Sequence, residues 1–202
     1  MSLASSQSSG LITAYRPFLG RVENQSEQVL HLATSLPEFP EDWSSEVWPA
    51  VLPKLASRVA EVLAPPAPRV WLALGEARVE GVPELETIAH NAFELGEDAE
   101  SAAAGPASGV FELHGPPFVR AHWPAAGLAE SLAEAGFSVQ LSQDAGRHCC
   151  NGLLWLATRA AELKLNPRPW IGFLHLPRQP EKRAEQATLV AHAAAWLAQQ
   201  HG

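Results

Sequence analysis

The chain has 202 residues and a formal net charge of −8, and 47% of its residues are hydrophobic. This length, with apolar residues spread evenly, predicts one large globular domain with a sizeable core. The acidic charge and the absence of any Lys/Arg cluster argue against a nucleic-acid or anionic-membrane partner. A small molecule or a peptide is the expected ligand.

Cysteine usage and hydropathy indicate the compartment. Cys149 and Cys150 are the only two cysteines. Adjacent residues cannot crosslink distant segments, and a bridge between them would be strained. Residues 1–10 lack the basic start and apolar run of a signal peptide, and no apolar stretch is long enough to span a bilayer. We expect a soluble cytoplasmic protein with a flexible tail over residues 1–10 and one domain over residues 11–202.

Strands and helices alternate along the first half of the chain. The predicted elements are a strand over 11–15, a helix from an N-cap at Ser26 to Pro37, an edge strand over 47–51, a helix over 55–63 and a buried strand over 70–74. Residues 85–93 fit a strand or a short helix. Residues 94–109 are rich in acidic residues, Ala, Ser and Gly, which predicts an exposed and mobile loop.

The same alternation continues in the second half. The predicted elements are strands over 111–114 and 118–122, a helix over 124–136, a strand over 137–141, a helix from Cys150 to about Leu163, a strand over 170–174 and a helix over 184–199. This order predicts an α/β fold, a single-domain three-layer α/β/α sandwich with a mostly parallel, mixed and twisted sheet.

Cys150 follows a predicted strand and opens a predicted helix, with a loop between them. There, unpaired N–H groups and the positive end of the helix dipole stabilise a thiolate, and the same N–H groups can hold an oxyanion. Cys150 therefore has the position of a nucleophile. A small buried cysteine at a helix start is the alternative interpretation.

His175 lies at the C-terminal end of the predicted strand 170–174, and ligands bind at this edge of open α/β sheets. A Cys and a His brought together there form the nucleophile and base of a cysteine hydrolase, with a carboxylate to orient the imidazole. Asp144 and Glu86 are the candidate carboxylates. A core histidine bonded to a backbone carbonyl is the alternative for His175.

A zinc site at His148, Cys149 and Cys150 is a further chemical alternative. Structural zinc sites favour spaced Cys/His pairs, and this chain has no second pair. The sequence therefore gives the zinc hypothesis little support.

Four blocks of the chain, in the right order, resemble the motifs of the pyrrolidone-carboxylate peptidases, also called pyroglutamyl peptidase I. Residues 13–20 read Thr-Ala-Tyr-Arg-Pro-Phe-Leu-Gly where the family has Thr-Gly-Phe-Glu-Pro-Phe-Gly-Gly, and residues 86–91 read Glu-Thr-Ile-Ala-His-Asn where it has Glu-Arg-x-Ala-x-Asn. Residues 142–151 and 172–177 resemble its Cys and His motifs. Four ordered blocks are far more specific than any single one.

The resemblance implies a cysteine exopeptidase that removes an N-terminal pyroglutamyl residue from peptides, with no metal or cofactor. It makes Cys150 the nucleophile, His175 the general base and Glu86 the residue that orients His175. Asp144 then loses its claim to that role.

The resemblance also assigns the substrate pocket. Tyr15 and Phe18 match two aromatic residues that clasp the pyroglutamyl ring, Asn24 matches an Asn of the same pocket, and Cys149 is counted with these substrate-binding residues. A five-membered lactam is flat and largely apolar, but its N–H and C=O need partners when buried. Core filling is the alternative for the two aromatic residues.

The family forms homo-oligomers, so a dimer or tetramer is expected. Trp43, Val47, Trp48 and the segment 94–109 are candidate interface residues. Residues 94–100, which follow the block containing Glu86, are expected to form a mobile lid over the bound pyroglutamyl group.

Several residues depart from the family pattern. Ala14 and Leu19 stand where the family has glycines, Arg16 where it has an acid, and His148 where it has a Tyr. Thr87 and Gly96 stand where it has two arginines, the second of which is linked to oxyanion stabilisation. Losing an oxyanion donor costs about two to three orders of magnitude in rate. The second hypothesis is therefore a divergent relative that binds lactams with weak or no hydrolysis, and a third keeps the triad but cleaves another small amide. Arg147 and Arg120 are candidates to replace the missing arginines.

Overall fold

The computed structural model of the chain describes residues 9–18, 20–77, 80–95 and 106–201. These residues form the predicted α/β sandwich. Its helices are α1 (Gln25–Ala33), α2 (Leu52–Val62), α3 (Ala125–Glu134), α4 (Cys149–Lys164) and α5 (Arg183–Gln200). Its strands are β1 (Gly10–Tyr15), β2 (Trp43–Trp48), β3 (Val70–Glu76), β4 (Glu84–Glu86), β5 (Ile88–His90), β6 (Phe93–Glu94), β7 (Ser108–Gly109), β8 (Phe118–Arg120), β9 (Gln140–Ser142) and β10 (Trp170–Leu176).

A six-stranded sheet in the order β2-β1-β3-β10-β4-β9 forms the middle layer. Strands β2, β1, β3 and β10 are parallel, whereas β4 pairs antiparallel with β10 and parallel with β9. The register sets Glu86 opposite Phe173, two residues before His175. Opposite residues share a face of the sheet, and so do residues two apart, which makes Glu86 and His175 diagonal neighbours on one face.

Helices cover both faces of this sheet, as its fully apolar central strands require. On one face, α1, α3 and α5 pack over Ile12, Leu72 and Leu174. On the other, α2 and α4 pack over Trp71, Ile171 and Phe173. Cys149 and Tyr15 belong to the second face, so the start of α4 lies on the same side of the sheet as His175.

Three boundaries differ from the predicted ones, each because a side chain or a cap bonds the backbone. Asn24, not Ser26, caps α1, because its Oδ1 accepts the Ser26 N–H at 2.9 Å. Residues 111–114 form a turn rather than a strand, since the Asn91 amide bonds both the N–H and the C=O of Glu112. The strand predicted over 137–141 begins only at Gln140, because the Phe137 N–H completes the C-terminal cap of α3.

The predicted edge strand over 47–51 lies instead at Trp43–Trp48, with Pro49 beyond its end. It is an edge strand, as expected. Residues 85–93 contain the short strands β4 and β5 rather than a helix. Trp43 and Trp48, two of the candidate interface residues, are 7% and 2% exposed, so they fill the core instead.

Two expectations concern residues outside the described ranges. The first eight residues of the predicted tail are outside them, as are residues 96–105, which include most of the predicted lid. Where the chain is described, none of its helices has the length and apolar character needed to cross a membrane.

Gly172 lets Trp123 lie against β10. A Cβ at this position would meet the Trp123 indole at 2.1 Å, and the indole N–H donates to the Glu86 carbonyl at 3.0 Å. We expect Gly172→Ala to lower the free energy of unfolding by about 1–3 kcal/mol, because the ring must move. Chemical denaturation measures this. Gly127→Ala, where the nearest atom of Trp196 would be 3.3 Å away, is the control and should be close to neutral; equal losses in both variants would contradict the packing argument.

Candidate active site

The first turn of α4 carries Cys149 and Cys150, with His148 as the N-cap residue. The first intrahelical bond joins the Gly152 N–H to the His148 carbonyl at 2.9 Å. The N–H groups of the preceding helical residues therefore have no acceptor within the helix. Together with the helix dipole, they give the Cys150 side chain an electropositive setting.

Cys150, His175 and Glu86 meet at the carboxyl ends of the strands. The Nδ1 atom of His175 lies 2.7 Å from Oε1 of Glu86. The Cys150 sulfur lies beside the same strand ends, since a Cβ on Gly75, the residue paired with His175 across β3 and β10, would be 3.0 Å from it. Because Nδ1 is taken by Glu86, Nε2 is the ring nitrogen of His175 that is available to Cys150. Cys150 is partly exposed, whereas His175 is 7% exposed and Glu86 is fully buried. A reactive sulfur can thus be reached from solvent while its charged partners are shielded.

The charges around His175 favour its protonated form. Burial alone lowers the pKa of His175, but the charge of the Cys150 thiolate, the hydrogen bond to it and the Glu86 carboxylate together raise that pKa to about 10. The folded-state pKa of His175 is above the ordinary value near 6.5. The ion pair between His175 and Glu86 therefore stabilises the fold fully below about pH 6.5. That stabilisation is lost as the pH rises through about 10.

Gly75, near the end of β3, leaves the space that the sulfur needs. A Cβ on this residue would lie 3.0 Å from the Cys150 Sγ and 2.8 Å from two atoms of the Phe173 ring. From the sequence, Gly75 was expected only to end a strand. A glycine directly after a fully apolar strand was the available signal.

Asn151 bonds the first turn of α4 to the segment that follows Glu86. Its Oδ1 accepts the His90 N–H at 2.7 Å, and its amide donates to the carbonyls of His90 and Ala92 at 2.9 Å each. The residue is fully buried. Sequence reasoning gave Asn151 no role, although a polar residue directly before the apolar run 152–157 was a signal.

The predicted pocket residues take different positions. Phe18 is half-buried, and the Arg21 guanidinium carbon lies 5.1 Å from its ring centroid. Tyr15 is 3% exposed, and its hydroxyl donates to the Cys149 carbonyl at 3.0 Å. Asn24 is 1% exposed and caps α1. Of these residues, Phe18 is the one whose side chain is partly exposed.

The competing acid and the candidate arginines lie elsewhere. The side chain of Asp144 is 68% exposed and pairs with Arg147 at 2.6 Å, so Glu86 alone reaches the imidazole. Arg120 is exposed on β8, opposite Ile88. Thr87 uses its hydroxyl to bond the Ser142 carbonyl at 2.7 Å. Neither arginine has an interaction with Cys150 or His175 among the contacts of the described residues.

Glu84, Glu86 and His175 are the one group of three potential metal ligands found where the chain is described. Their ligand atoms lie within 4.8 Å of one another. Because the group includes neither cysteine, the zinc hypothesis at His148, Cys149 and Cys150 gains no support from the geometry.

Residues 94 and 95, the described end of the predicted lid, lie near the loop that precedes α4. The Glu94 N–H donates to the Arg147 carbonyl at 2.7 Å, and the Leu95 N–H donates to the Ala107 carbonyl at 2.7 Å. Leu95 is therefore held beside Ala107, and Glu94 is bonded to a residue that lies three positions before Cys150 in the chain.

Known proteins resemble this chain over nearly its full length. A sequence model of the pyroglutamyl peptidase family matches residues 9–194. The pyrrolidone-carboxylate peptidases of Brevibacillus brevis and Streptococcus suis are each 26% identical, covering 88% and 90% of this chain and 81% and 83% of their own lengths. Pyroglutamyl peptidase I of Bacillus amyloliquefaciens superposes with a TM-score of 0.81 at 23% identity, covering 95% of this chain and 97% of its own. A pyrrolidone carboxyl peptidase from Pyrococcus furiosus gives 0.79 at 20% identity, covering 96% of this chain and 99% of its own.

A side chain at position 75 should displace the Cys150 sulfur. In Gly75→Ala, the new methyl group collides with the Phe173 ring and presses on the Cys150 sulfur. We expect alkylation of Cys150 by iodoacetamide to slow by roughly tenfold or more, since small displacements of a reacting atom are costly. Mass spectrometry of the alkylated peptide measures the rate. A rate equal to that of the wild type would mean that the sulfur does not depend on this space.

Removing the carboxylate charge should lower the pKa of His175. In Glu86→Gln, we expect a fall of roughly one to two units from the wild-type value, because a neutral amide no longer stabilises the imidazolium. NMR titration of the His175 ring measures it. Asp144→Asn is the matched control and should leave this pKa unchanged; equal shifts in the two variants would contradict the assignment of Glu86.

Proposed function

Because the chain belongs to the pyroglutamyl peptidase family, we propose that it is a cysteine exopeptidase that removes an N-terminal pyroglutamyl residue from peptides. The observation that carries this proposal is the buried Glu86–His175 pair with Cys150 on its far side. In this proposal Cys150 is the nucleophile, His175 transfers protons and Glu86 orients and charges His175. No metal or cofactor takes part.

The raised pKa of His175 sets the order of proton transfers. The pKa of about 10 keeps His175 protonated at neutral pH, and in the proposed mechanism the nucleophile is the thiolate of Cys150 beside this imidazolium. The thiolate attacks the carbonyl carbon of the scissile peptide bond, outside the lactam ring. As the C–N bond of that peptide breaks, the leaving amine takes the His175 proton. Neutral His175 then removes a proton from water, the hydroxide attacks the thioester, and pyroglutamate leaves as the thiolate re-forms. His175 therefore acts first as an acid and afterwards as a base.

The N–H groups at the start of α4 are suited to stabilise the tetrahedral intermediates. They lack acceptors within the helix and lie next to the attacking sulfur. We assign the Cys150 N–H to the oxyanion site, since it belongs to the residue that forms the new bond. This donor comes from the backbone and does not depend on the arginines that Thr87 and Gly96 replace.

The substrate ring is proposed to lie against Phe18, with Tyr15, Asn24 and Cys149 forming the inner wall of its pocket. The half-buried Phe18 ring offers a flat apolar surface, which suits a lactam. Arg21 above that ring keeps it in one orientation. Tyr15 and Asn24 are buried, so their contribution is to hold the shape of the pocket rather than to offer open surface.

A relative that binds lactams without hydrolysing them is not favoured. Such a protein has no need of a buried carboxylate and a charged imidazole beside a partly exposed cysteine, and burying those charges is costly. A substrate panel that includes other small amides tests the third hypothesis, in which the same triad cleaves a different substrate.

Turnover of a chromogenic pyroglutamyl amide tests the proposal. We expect Cys150→Ala to abolish turnover and Cys150→Ser to reduce it by at least about 1000-fold, because an unactivated hydroxyl replaces the thiolate. Cys149→Ala separates the two neighbouring thiols: its remaining activity should still be lost on treatment with iodoacetamide, because the reactive sulfur is still present. Wild-type rates in Cys150→Ser would rule out the proposed nucleophile.

Two further expectations complete the proposal. We propose a cytoplasmic location, because adjacent cysteines suit a reducing compartment. We also propose a homo-oligomer, a dimer or a tetramer, and the exposed side chains of Val22, Leu113 and Leu163 provide apolar material for its interface. Light scattering should give a mass above that of one chain, and a monomer at every concentration would remove this part of the proposal.

A further inference from the structure

The Tyr15 hydroxyl contacts the peptide unit that carries the proposed oxyanion donor. Tyr15 ends β1, and its hydroxyl donates to the Cys149 carbonyl oxygen at 3.0 Å. That carbonyl and the Cys150 N–H belong to one planar peptide group. We propose that Tyr15 is a positioning residue for acyl transfer, whose hydroxyl fixes and polarises this peptide so that the Cys150 N–H binds the oxyanion more strongly. The inference rests on the proposed function and deepens it.

Peptide resonance carries the effect from one side of the group to the other. A hydrogen bond donated to the carbonyl oxygen draws electrons toward that oxygen, which makes the N–H of the same peptide more positive. The Cys149 carbonyl has two lone pairs, so it can accept from Tyr15 as well as from the N–H one helical turn later. The tyrosine therefore adds to the helix bond instead of competing with it.

A chain of buried hydrogen bonds holds Tyr15 in place. Asn24 Oδ1 accepts from the Ser26 N–H at 2.9 Å and from the Ser26 hydroxyl at 2.7 Å. The Ser26 oxygen in turn accepts the Tyr15 N–H at 3.2 Å. Tyr15, Asn24, Ser26 and Cys149 are all 3% exposed or less. The hydroxyl is therefore pre-organised, and the cap of α1 is linked to the first turn of α4.

The hydroxyl keeps its proton throughout the working range of such an enzyme. Burial raises the pKa of Tyr15 well above its ordinary value, and the negative charges of Cys149 and Cys150 raise it further. Tyr15 thus remains a donor while Cys150 is a thiolate. The influence of Cys150 on this group also agrees with the closeness of the hydroxyl to the nucleophile.

The predicted effect is on the transition state and not on substrate binding. When the thiolate attacks, the carbonyl π electrons move to oxygen, and the new negative charge meets the Cys150 N–H. A more positive N–H stabilises that charge, whereas the ground-state carbonyl gains less from it. Removing the hydroxyl should therefore lower kcat and leave KM nearly unchanged.

Tyr15→Phe tests this directly. We expect kcat to fall roughly threefold to tenfold with KM within about twofold of the wild type, as befits a weakened rather than a deleted oxyanion donor. Alkylation of Cys150 by iodoacetamide forms no oxyanion and should keep its wild-type rate. Thr13→Val is the matched control: it removes a buried hydroxyl on the same strand, one that accepts the Trp71 indole N–H at 3.0 Å, and it should leave kcat unchanged.

Two results would overturn the inference. If alkylation slows by the same factor as kcat, Tyr15 only supports the position of the sulfur. If KM rises while kcat is unchanged, Tyr15 contacts the substrate ring and has no part in the transition state.

A binding measurement separates this inference from the proposed function. The aldehyde analogue of pyroglutamate forms a thiohemiacetal with Cys150, whose oxygen lies where the oxyanion would be, and the adduct requires no turnover. We expect Tyr15→Phe to weaken calorimetric binding of this analogue by the factor seen in kcat, and Thr13→Val to leave it unchanged. Equal affinity in wild type and Tyr15→Phe overturns the inference, whereas an inactive wild type that still binds the analogue overturns only the peptidase activity.

The chain contains a single tyrosine, so labelling needs no mutation. Replacing tyrosine with 3-fluorotyrosine during expression puts a more acidic and therefore stronger donor at Tyr15 alone. We expect kcat at or above that of unlabelled protein, and a ¹⁹F resonance that shifts when the aldehyde adduct forms but not in Cys150→Ala. A labelled protein as slow as Tyr15→Phe would contradict a donor role.

Discussion

The hydrogen bond between Glu86 and His175 is the interaction on which the site depends. Glu86 is fully buried, and burying an unpaired carboxylate is costly, so His175 is its necessary partner. The second oxygen, Oε2, has no hydrogen-bond partner among the described residues. The carboxylate charge is thus neutralised mainly through the imidazole, which has to be protonated to do so. Negative charge on Cys150 also raises the pKa of His175, so both neighbours favour the protonated imidazole.

The mixed topology of the sheet makes this pairing possible. If β4 ran parallel to β10, its carboxyl end would lie beside the end of β10, and the register between the two strands would differ. Because β4 runs the other way, its last residue meets the middle of β10, diagonally behind the histidine. The parallel strands β1 and β3 deliver Tyr15 and Gly75 to the edge where α4 begins. The reversed strand β4 thus supplies Glu86, while the parallel strands β1 and β3 supply Tyr15 and Gly75.

The sequence predicted the parts of the protein that have local or motif signals. Apolar runs gave the central strands, and the strand-loop-helix pattern gave the position of Cys150. The choice of Glu86 over Asp144 came only from the family motif, since three residues of β4 carry no periodicity. Position in the chain could not reveal that Asp144 would be exposed and paired with Arg147. Such pairings depend on distant segments meeting in three dimensions.

The features that the sequence did not predict also depend on contacts between distant segments of the chain. Gly75 matters because Phe173 and Cys150, both far along the chain, approach it from two sides. The Tyr15 hydroxyl finds its acceptor across 134 residues. The aromatic residue was recognised from a motif, but the motif could not say whether its hydroxyl faces a ligand or the backbone of another element. Contacts of this kind require the fold, because no local pattern encodes them.

In the proposed mechanism the Cys150 sulfur is the atom to which the pyroglutamyl group is joined, so trapping that bond is the most direct test. The purified protein is mixed with a pyroglutamyl amide, quenched in acid within the first turnovers and digested, and the peptide that contains both cysteines is sequenced by mass spectrometry. We predict one pyroglutamyl group, attached to Cys150 and released by hydroxylamine. An acyl group on Cys149, or hydrolysis with no acylated cysteine under conditions that preserve thioesters, would contradict it.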